Sequence, residues 1–223
     1  MKTQLMLFFL LATSSWLCAQ PAKFPPPNDL AKDKSLVTFV NQLKTAVQKK
    51  DKAFILSILD KNIRNGFGGN DGIEEFKKQW NWSKDTLTVW HRLQQVLNIG
   101  GGFMEGDPGG SRMYAFPYVF NLDPGDADIF SVGVITGKNV NFRDKPNLAG
   151  KVITQLTYDV VEFSGETRGK NPVGDPEWYQ IETADHKKGW VFWQYVYSPV
   201  NYRLLLSKNS QGKWKITAFL AGD

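Results

Sequence analysis

The pattern of apolar residues changes near residue 130, and this change constrains the fold more than any other feature of the sequence. Before it, apolar residues recur at helical spacing, as in residues 36–47. After it come short runs rich in β-branched and aromatic residues, separated by turn residues, at 132–136, 140–142, 152–156, 160–163, 178–182 and 190–197. Runs of this length and spacing are typical of a small barrel. The sequence therefore predicts an α+β protein, with a helical or α+β domain followed by a small all-β barrel.

The end of the chain predicts a β-hairpin between residues 202–206 and 213–219, with a polar turn at 209–212. Alternate positions on both strands are apolar, which predicts one buried face. Because an isolated hairpin is only marginally stable, we expect it to pack back on the N-terminal part. This assigns one α+β domain to residues 35–129 with 200–223, and the barrel to residues 130–199.

Four helices are predicted before the barrel, each from a capping residue and an apolar stripe. Ser35 is the predicted cap of the first helix. Asp51 is that of the second, whose buried stripe is expected to extend to Leu59. Asp71 and a glutamate three residues later predict a capping box for the third helix. Ser83 is the predicted cap of the fourth.

The first nineteen residues are typical of a secretory signal peptide. Lys2 is followed by an apolar run at 5–12 that is too short to span a bilayer comfortably, and Ala19 supplies a small residue for cleavage. Residues 20–34 contain four prolines and predict an extended, Pro-rich tether. The sequence thus predicts a secreted or periplasmic protein. No second apolar run of membrane length follows, so we expect no membrane insertion after cleavage.

A lipoprotein is the alternative for this segment, with Cys18 as its lipid-bearing first residue. The residues before such a cysteine are expected to be small, whereas here they are Trp16 and Leu17. Cleavage after Ala19 instead removes the single cysteine of the chain. The mature protein would then have neither a cysteine nucleophile nor a cysteine-ligated zinc.

Few other residues suggest catalysis. The chain has two histidines, His91 and His186, and neither has a nearby partner at metal-ligand or triad spacing. We therefore predict that the protein is not an enzyme and uses no metal and no cofactor. The net charge is only +5 and the basic residues are scattered, so no nucleic-acid partner is expected.

Residues 131–198 resemble the bacterial SH3-type (Src-homology-3-like) barrel. The resemblance rests on a V-N-x-R-x-x-P motif at 140–146, a later G-W-V at 189–191, and the aromatic run that begins at Trp178. It implies a binding module of the kind found mostly on exported proteins that act at the cell wall or envelope. Such modules often accompany hydrolases of the Cys-His type, from which this chain departs because its mature form has no cysteine.

The remaining residues are more weakly similar to cone-shaped folds of the nuclear transport factor 2-like type. The similarity rests on a first helix, Lys50-Asp51-Lys52, a second helix ending in Leu59-Asp60, and Trp214-Lys215-Ile216 in a terminal strand. In that case the barrel would be inserted before the last hairpin. A plain helical domain with a short sheet is the alternative.

Five barrel residues are predicted to bind a ligand: Arg143, Trp178, Tyr179, Trp193 and Tyr195. Arginine offers a fork for a carboxylate, and the aromatic rings offer flat apolar walls. Arg143 has an alternative role, which is to tie its own loop together. Strict alternation along 190–197 would place Trp193 and Tyr195 on one face with Val191. The two aromatic faces of this run would serve either for packing between the domains or as a ligand groove.

Three functions follow from these observations. The leading hypothesis is an exported cell-envelope protein whose barrel binds a cell-wall peptide or glycan, that is, a component of peptidoglycan. The second is a periplasmic interaction scaffold, with the barrel docked on the N-terminal domain and an envelope protein as partner. The third is an enzyme that uses a pocket in a cone-shaped N-terminal domain.

The signal peptide generates a direct prediction. Cleavage after Ala19 should leave Gln20 as the first residue of the exported protein, because the apolar run and the small residue stand where signal peptidase cuts. Mass spectrometry of the exported form measures this N-terminus. An intact Met1, or a lipid on Cys18, would contradict the prediction.

Overall fold

The computed structural model describes residues 22–84, 87–104 and 112–222. They form two β-sheets and a set of helices, which confirms the predicted α+β class. The predicted signal peptide and its cleavage site lie outside the described residues, as does part of the segment before Leu87. None of the helices in the described part is long and apolar enough to cross a membrane.

The described helices and strands follow one another in a simple order. The helices are α1 (Lys34–Lys49), α2 (Lys52–Ile58), α3 (Ile73–Gln79) and α4 (Leu87–Ile99). The strands are β1 (Leu59–Arg64), β2 (Gly102–Phe103), β3 (Tyr114–Phe116), β4 (Val132–Ile135), β5 (Val140–Arg143), β6 (Val152–Leu156), β7 (Val160–Arg168), β8 (Trp178–Glu182), β9 (Lys188–Phe192), β10 (Val196–Tyr197), β11 (Arg203–Lys208) and β12 (Trp214–Leu220). Short 3₁₀ turns at Leu30–Lys32, Tyr118–Asn121 and Trp193–Tyr195 connect them.

The first sheet brings strands from the N-terminal part of the chain together with the C-terminal hairpin. Its strand order is β1-β12-β11-β3-β2, with β1 parallel to β12 and the other neighbours antiparallel. The C-terminal hairpin β11–β12 therefore lies in the middle of this sheet, which confirms that it packs back on the N-terminal part. The chain leaves the sheet after β3, forms the barrel, and returns in β11. Helices α1 and α4 supply much of the apolar core against the sheet.

Several local predictions for the helices are wrong. Asp33, not Ser35, caps α1, because its carboxylate accepts hydrogen bonds from the backbone N–H groups of Ser35 at 2.8 Å and Leu36 at 3.1 Å. Asp71 accepts instead from the backbone N–H of Asn65, so no capping box forms. Leu59 does not extend α2; it begins β1 and pairs with Ile216 of β12.

The second sheet is the barrel, with strand order β10-β4-β7-β8-β9-β5-β6. All its neighbouring strands are antiparallel, and a small apolar core that includes Ile135, Phe142, Ile181 and Val191 fills it. The predicted continuous strand at 190–197 is wrong. Strand β9 ends at Phe192 and a 3₁₀ turn follows, so strict alternation does not apply to residues 193–195.

The barrel is docked on the α+β part through shared apolar packing and through polar contacts of Tyr197 and Arg92. Val134 of β4 and Tyr197 of β10 belong to the core of the α+β part. The Tyr197 hydroxyl donates to the carbonyl of Tyr202 at 2.7 Å. Arg92 of α4, buried to all but 8% of its surface, forms a two-pronged ion pair with Asp175 in the long barrel loop.

Residues 22–29 of the Pro-rich segment form no helix, a 3₁₀ turn follows at Leu30–Lys32, and the segment is not a free tether. The backbone N–H of Val160 donates to the Ala22 carbonyl, and that of Phe24 to the Tyr158 carbonyl, so residues 22–24 run along the barrel. The Phe24 ring then stacks on Tyr118 with centroids 5.5 Å apart. Composition alone could not predict these contacts, because the partners, residues 158–160 and Tyr118, are distant in the sequence.

Phe219 tests the central position of the hairpin. Its ring is fully buried, 5.2 Å from the ring centroid of Trp80 and 5.5 Å from that of Tyr202. We expect Phe219→Ala to lower the free energy of unfolding by about 3–5 kcal/mol, because it leaves a cavity in the core. Chemical denaturation measures the change. Phe130→Ala is the matched control, since that ring is 57% exposed; equal losses for both variants would contradict the assignment.

Asp175 tests the docking of the barrel. Its replacement by asparagine leaves the buried Arg92 guanidinium without its counter-ion. We expect the free energy of unfolding to fall by roughly 2–3 kcal/mol, somewhat less than for a fully buried pair, because the Asp175 side chain is 29% exposed. Asp126→Asn is the matched control, at an exposed turn. A stability like that of the control would show that the pair does not hold the barrel.

Candidate ligand-binding site

A groove with a volume of about 640 Å³ runs beside the loop that joins β5 to β6. Three of the predicted ligand-binding residues line it: Arg143, Trp178 and Tyr195. Leu148 and Phe192 also line it and were not predicted. We call this feature the loop groove.

Arg143 stands at the end of β5, where it pairs with Trp190 of β9. Its Nη1 donates to the Gly150 carbonyl at 2.7 Å, so the side chain closes the loop that follows β5. The loop is compact at this point, because a Cβ added to Gly150 would come within 2.8 Å of the Lys145 carbonyl oxygen. Arg143 therefore ties its own loop together and also presents the remainder of its guanidinium to the loop groove.

The apolar wall of the loop groove combines buried and exposed side chains. Trp178 is buried and meets Phe192 edge to face, with centroids 5.2 Å apart. Tyr195 is 46% exposed and Leu148 is 78% exposed. Trp178 and the half-buried Phe192 form the base of the wall, and the two exposed side chains are the ones that a ligand would cover.

Tyr179 does not line this groove; it borders a separate hollow of about 250 Å³ with Phe163 and Gln180, so its ligand role stays a prediction. Successive residues of a strand point to opposite faces, so Trp178 and Tyr179 cannot line the same surface. The Tyr179 ring packs on Phe163 at 5.5 Å, against the barrel core. Burial there raises the pKa of the Tyr179 hydroxyl.

Trp193 lies in a second, neighbouring cleft of about 510 Å³ between the barrel and α4. Tyr195 and Gln194 border both hollows, so the two lie next to each other at the 3₁₀ turn. We call this second feature the α4 cleft. The polar face of α4 that forms its other wall was not predicted to be functional; its run of carboxamides at residues 94, 95 and 98 is the sequence signal that could have shown it.

The other chemical groups of the described residues do not converge. No group of three or more His, Cys, Asp or Glu side chains in the described ranges is arranged to hold a metal ion. Asp123 and Asp128 cap their own turns by accepting from the backbone N–H groups of Gly125 and Phe130. His186 pairs with Glu182 at 2.9 Å on the exposed surface.

Comparison with protein families matches residues 138–197 to the model described as the bacterial SH3 domain. The barrel is a bacterial SH3 domain. Its match covers strands β5 to β10, which include the loop groove and, apart from Thr136 and Gly137, the barrel wall of the α4 cleft. The chain has no significant match among curated proteins or solved structures. The SH3 domain identifies a binding module, while the resemblance of the α+β part to cone-shaped folds stays a prediction.

Proposed function

We propose that this is an exported protein of the cell envelope whose SH3 domain binds a peptide component of peptidoglycan in the loop groove. The observation that carries the proposal is the loop groove itself, which combines one guanidinium with an aromatic wall on a domain of the binding class. The signal peptide predicted at residues 1–19 supports the location.

The charges of the loop groove suit a short peptide that carries both signs. Lys138 and Arg143 supply positive charge, and Glu177 supplies a negative charge. Only Nη1 of Arg143 makes a hydrogen bond to described residues, so its other N–H groups are available to a ligand carboxylate. Glu177 would meet a ligand amine. Exposed Tyr195 and Leu148 would cover the apolar parts of the peptide.

We propose binding without catalysis. The described residues that line the loop groove include no serine, threonine, cysteine or histidine, and Glu177 is their single carboxylate. Acyl transfer needs a nucleophile with an adjacent base, and glycoside hydrolysis needs two carboxyl groups on either side of the scissile bond. Neither arrangement is present among these residues.

An interaction scaffold is the second candidate, and the fixed docking of the barrel favours it. The Arg92–Asp175 pair and the buried Tyr197 hold the SH3 domain against the α+β part. Both parts would then present one continuous surface to an envelope protein. In this case the ligand of the loop groove would be a segment of that partner.

Retention by purified peptidoglycan tests the leading proposal. We expect the exported form to sediment with insoluble peptidoglycan, and we expect Tyr195→Ala and Leu148→Ala each to weaken this binding by roughly 1–2 kcal/mol, because each removes an exposed apolar contact. The matched controls are Phe130→Ala and Ile153→Ala, which truncate exposed apolar side chains outside the groove. All four variants should keep the melting temperature of the parent protein within a few degrees.

Other outcomes separate the candidates. A protein that does not sediment with peptidoglycan, yet captures an envelope protein in a manner that depends on Tyr195, would favour the scaffold. If the groove variants and the control variants weaken binding to peptidoglycan equally, the loop groove is not the binding site. Arg143→Ala is informative only with its melting temperature, since this change also unties the loop at Gly150. A lowered melting temperature with unchanged binding would remove Arg143 from the ligand site.

A further inference from the structure

The α4 cleft has the size and the shape of a small-molecule site. Its volume of about 510 Å³ falls within the roughly 300–1,000 Å³ that is usual for such sites. One wall is the polar face of α4, and the other is the 3₁₀ turn Trp193–Tyr195 with Thr136 and Pro172. It lies at the junction of the two parts of the protein, where binding sites occur preferentially.

Carboxamides dominate the polar lining of this cleft. Gln94, Gln95 and Asn98 stand on α4, and Gln194 faces them from the barrel. None of these four side chains forms a hydrogen bond with another described residue. Each carboxamide supplies two N–H donors and one oxygen acceptor, which is the combination that hydroxyl and acetamido groups require.

The aromatic lining is held in place by the backbone of the turn. The Trp193 N–H donates to the Glu177 carbonyl at 2.9 Å, and the Thr136 N–H donates to the Tyr195 carbonyl at 3.0 Å. Trp193 is half-buried and Tyr195 is exposed, so part of each ring borders the cleft. Such rings offer flat surfaces on which the C–H face of a sugar ring can pack.

The cleft favours an uncharged ligand. No aspartate, glutamate, lysine or arginine is among the described residues that line it, and His91 is their single titratable group besides Tyr195. Arg92 follows His91 on α4 but is paired with Asp175. A charged ligand would therefore lose its hydration without gaining a counter-ion.

We infer that the α4 cleft binds a neutral, N-acetylated saccharide. The inference rests on the proposed function for the source of that saccharide, which would be the glycan part of the polymer whose peptide part occupies the loop groove. Because Gln194 and Tyr195 border both hollows, one ligand that crosses the 3₁₀ turn would contact peptide-binding and sugar-binding residues together.

Calorimetric titration of the exported form with chitotriose, a neutral trimer of N-acetylglucosamine, tests the inference. The double variant Gln94→Ala with Asn98→Ala removes two exposed carboxamides that carry no hydrogen bond in the fold. We expect it to bind chitotriose about tenfold more weakly, as the loss of two hydrogen bonds to a ligand implies. The matched control is Asn41→Ala with Gln42→Ala, which removes two exposed carboxamides from α1.

Parallel retention by peptidoglycan keeps the two proposals distinguishable. Weakening of chitotriose binding in the cleft variant alone supports the inference. A protein that is retained by peptidoglycan but does not bind chitotriose overturns the inference and leaves the proposed function standing. Chitotriose binding that the cleft variant leaves unchanged, or that the control weakens equally, overturns it as well. If the protein binds chitotriose but is not retained by peptidoglycan, the α4 cleft is supported as a saccharide site, and peptidoglycan is contradicted as the source of the saccharide.

Discussion

The buried ion pair between Arg92 and Asp175 fixes how the two parts of this protein face each other. Burial alone would lower the pKa of the Arg92 guanidinium, but the hydrogen bonds and the charge of Asp175 outweigh burial and raise it. The guanidinium also lies over the Tyr202 ring, 4.9 Å from its centroid. An ion pair of this kind contributes little net stability, because Arg92 loses its hydration and Asp175 loses most of its own. Its effect is on geometry, since other orientations of the barrel would leave a charge buried without a partner.

The long loop of the barrel is shaped to deliver Asp175 to this pair. Asn171 is buried, and its side-chain oxygen accepts from the backbone N–H groups of Val173 and Asp175, both at 3.0 Å. The same loop brings Pro172 to the α4 cleft. The hydrogen bonds of Asn171 thus position both the Asp175 carboxylate, which pairs with Arg92, and Pro172, which lines the α4 cleft. This pair connects the SH3 domain to α4 and so sets how the loop groove and the α4 cleft lie relative to each other.

The sequence predicted those elements whose signal is local. The alternation of apolar residues and the turn at 209–212 predicted the hairpin, and the runs at 152–156 and 178–182 coincide with β6 and β8. Elements that depend on distant partners were missed. Strand β1 was not predicted, and its first residue, Leu59, was assigned to a helix because its partner, Ile216, lies at the other end of the chain. The Arg92–Asp175 pair joins residues 83 positions apart, and no pattern near either residue predicts it.

The candidate site shows the same division between local and distant signals. The V-N-x-R-x-x-P motif located Arg143 and its loop, since the arginine and the glycine that accepts its hydrogen bond lie only seven residues apart. Strict alternation of side chains along 190–197 placed Trp193 and Tyr195 on one face of a strand. That placement is wrong because the strand ends at Phe192 and a 3₁₀ turn follows. Trp190, which precedes the turn in β9, is buried, and the guanidinium carbon of Arg168 lies 5.9 Å from the centroid of its ring.

Trp193, three residues later, reaches the surface of the barrel next to α4. Residue type alone therefore does not distinguish a core tryptophan from one that borders a cleft. Trp190 and Trp193 differ because strand β9 ends between them, at Phe192. The aromatic rings of the turn that follows, Trp193 and Tyr195, lie outside both apolar cores. Tyr195 lies at the border of the loop groove and the α4 cleft, where a single side chain takes part in both.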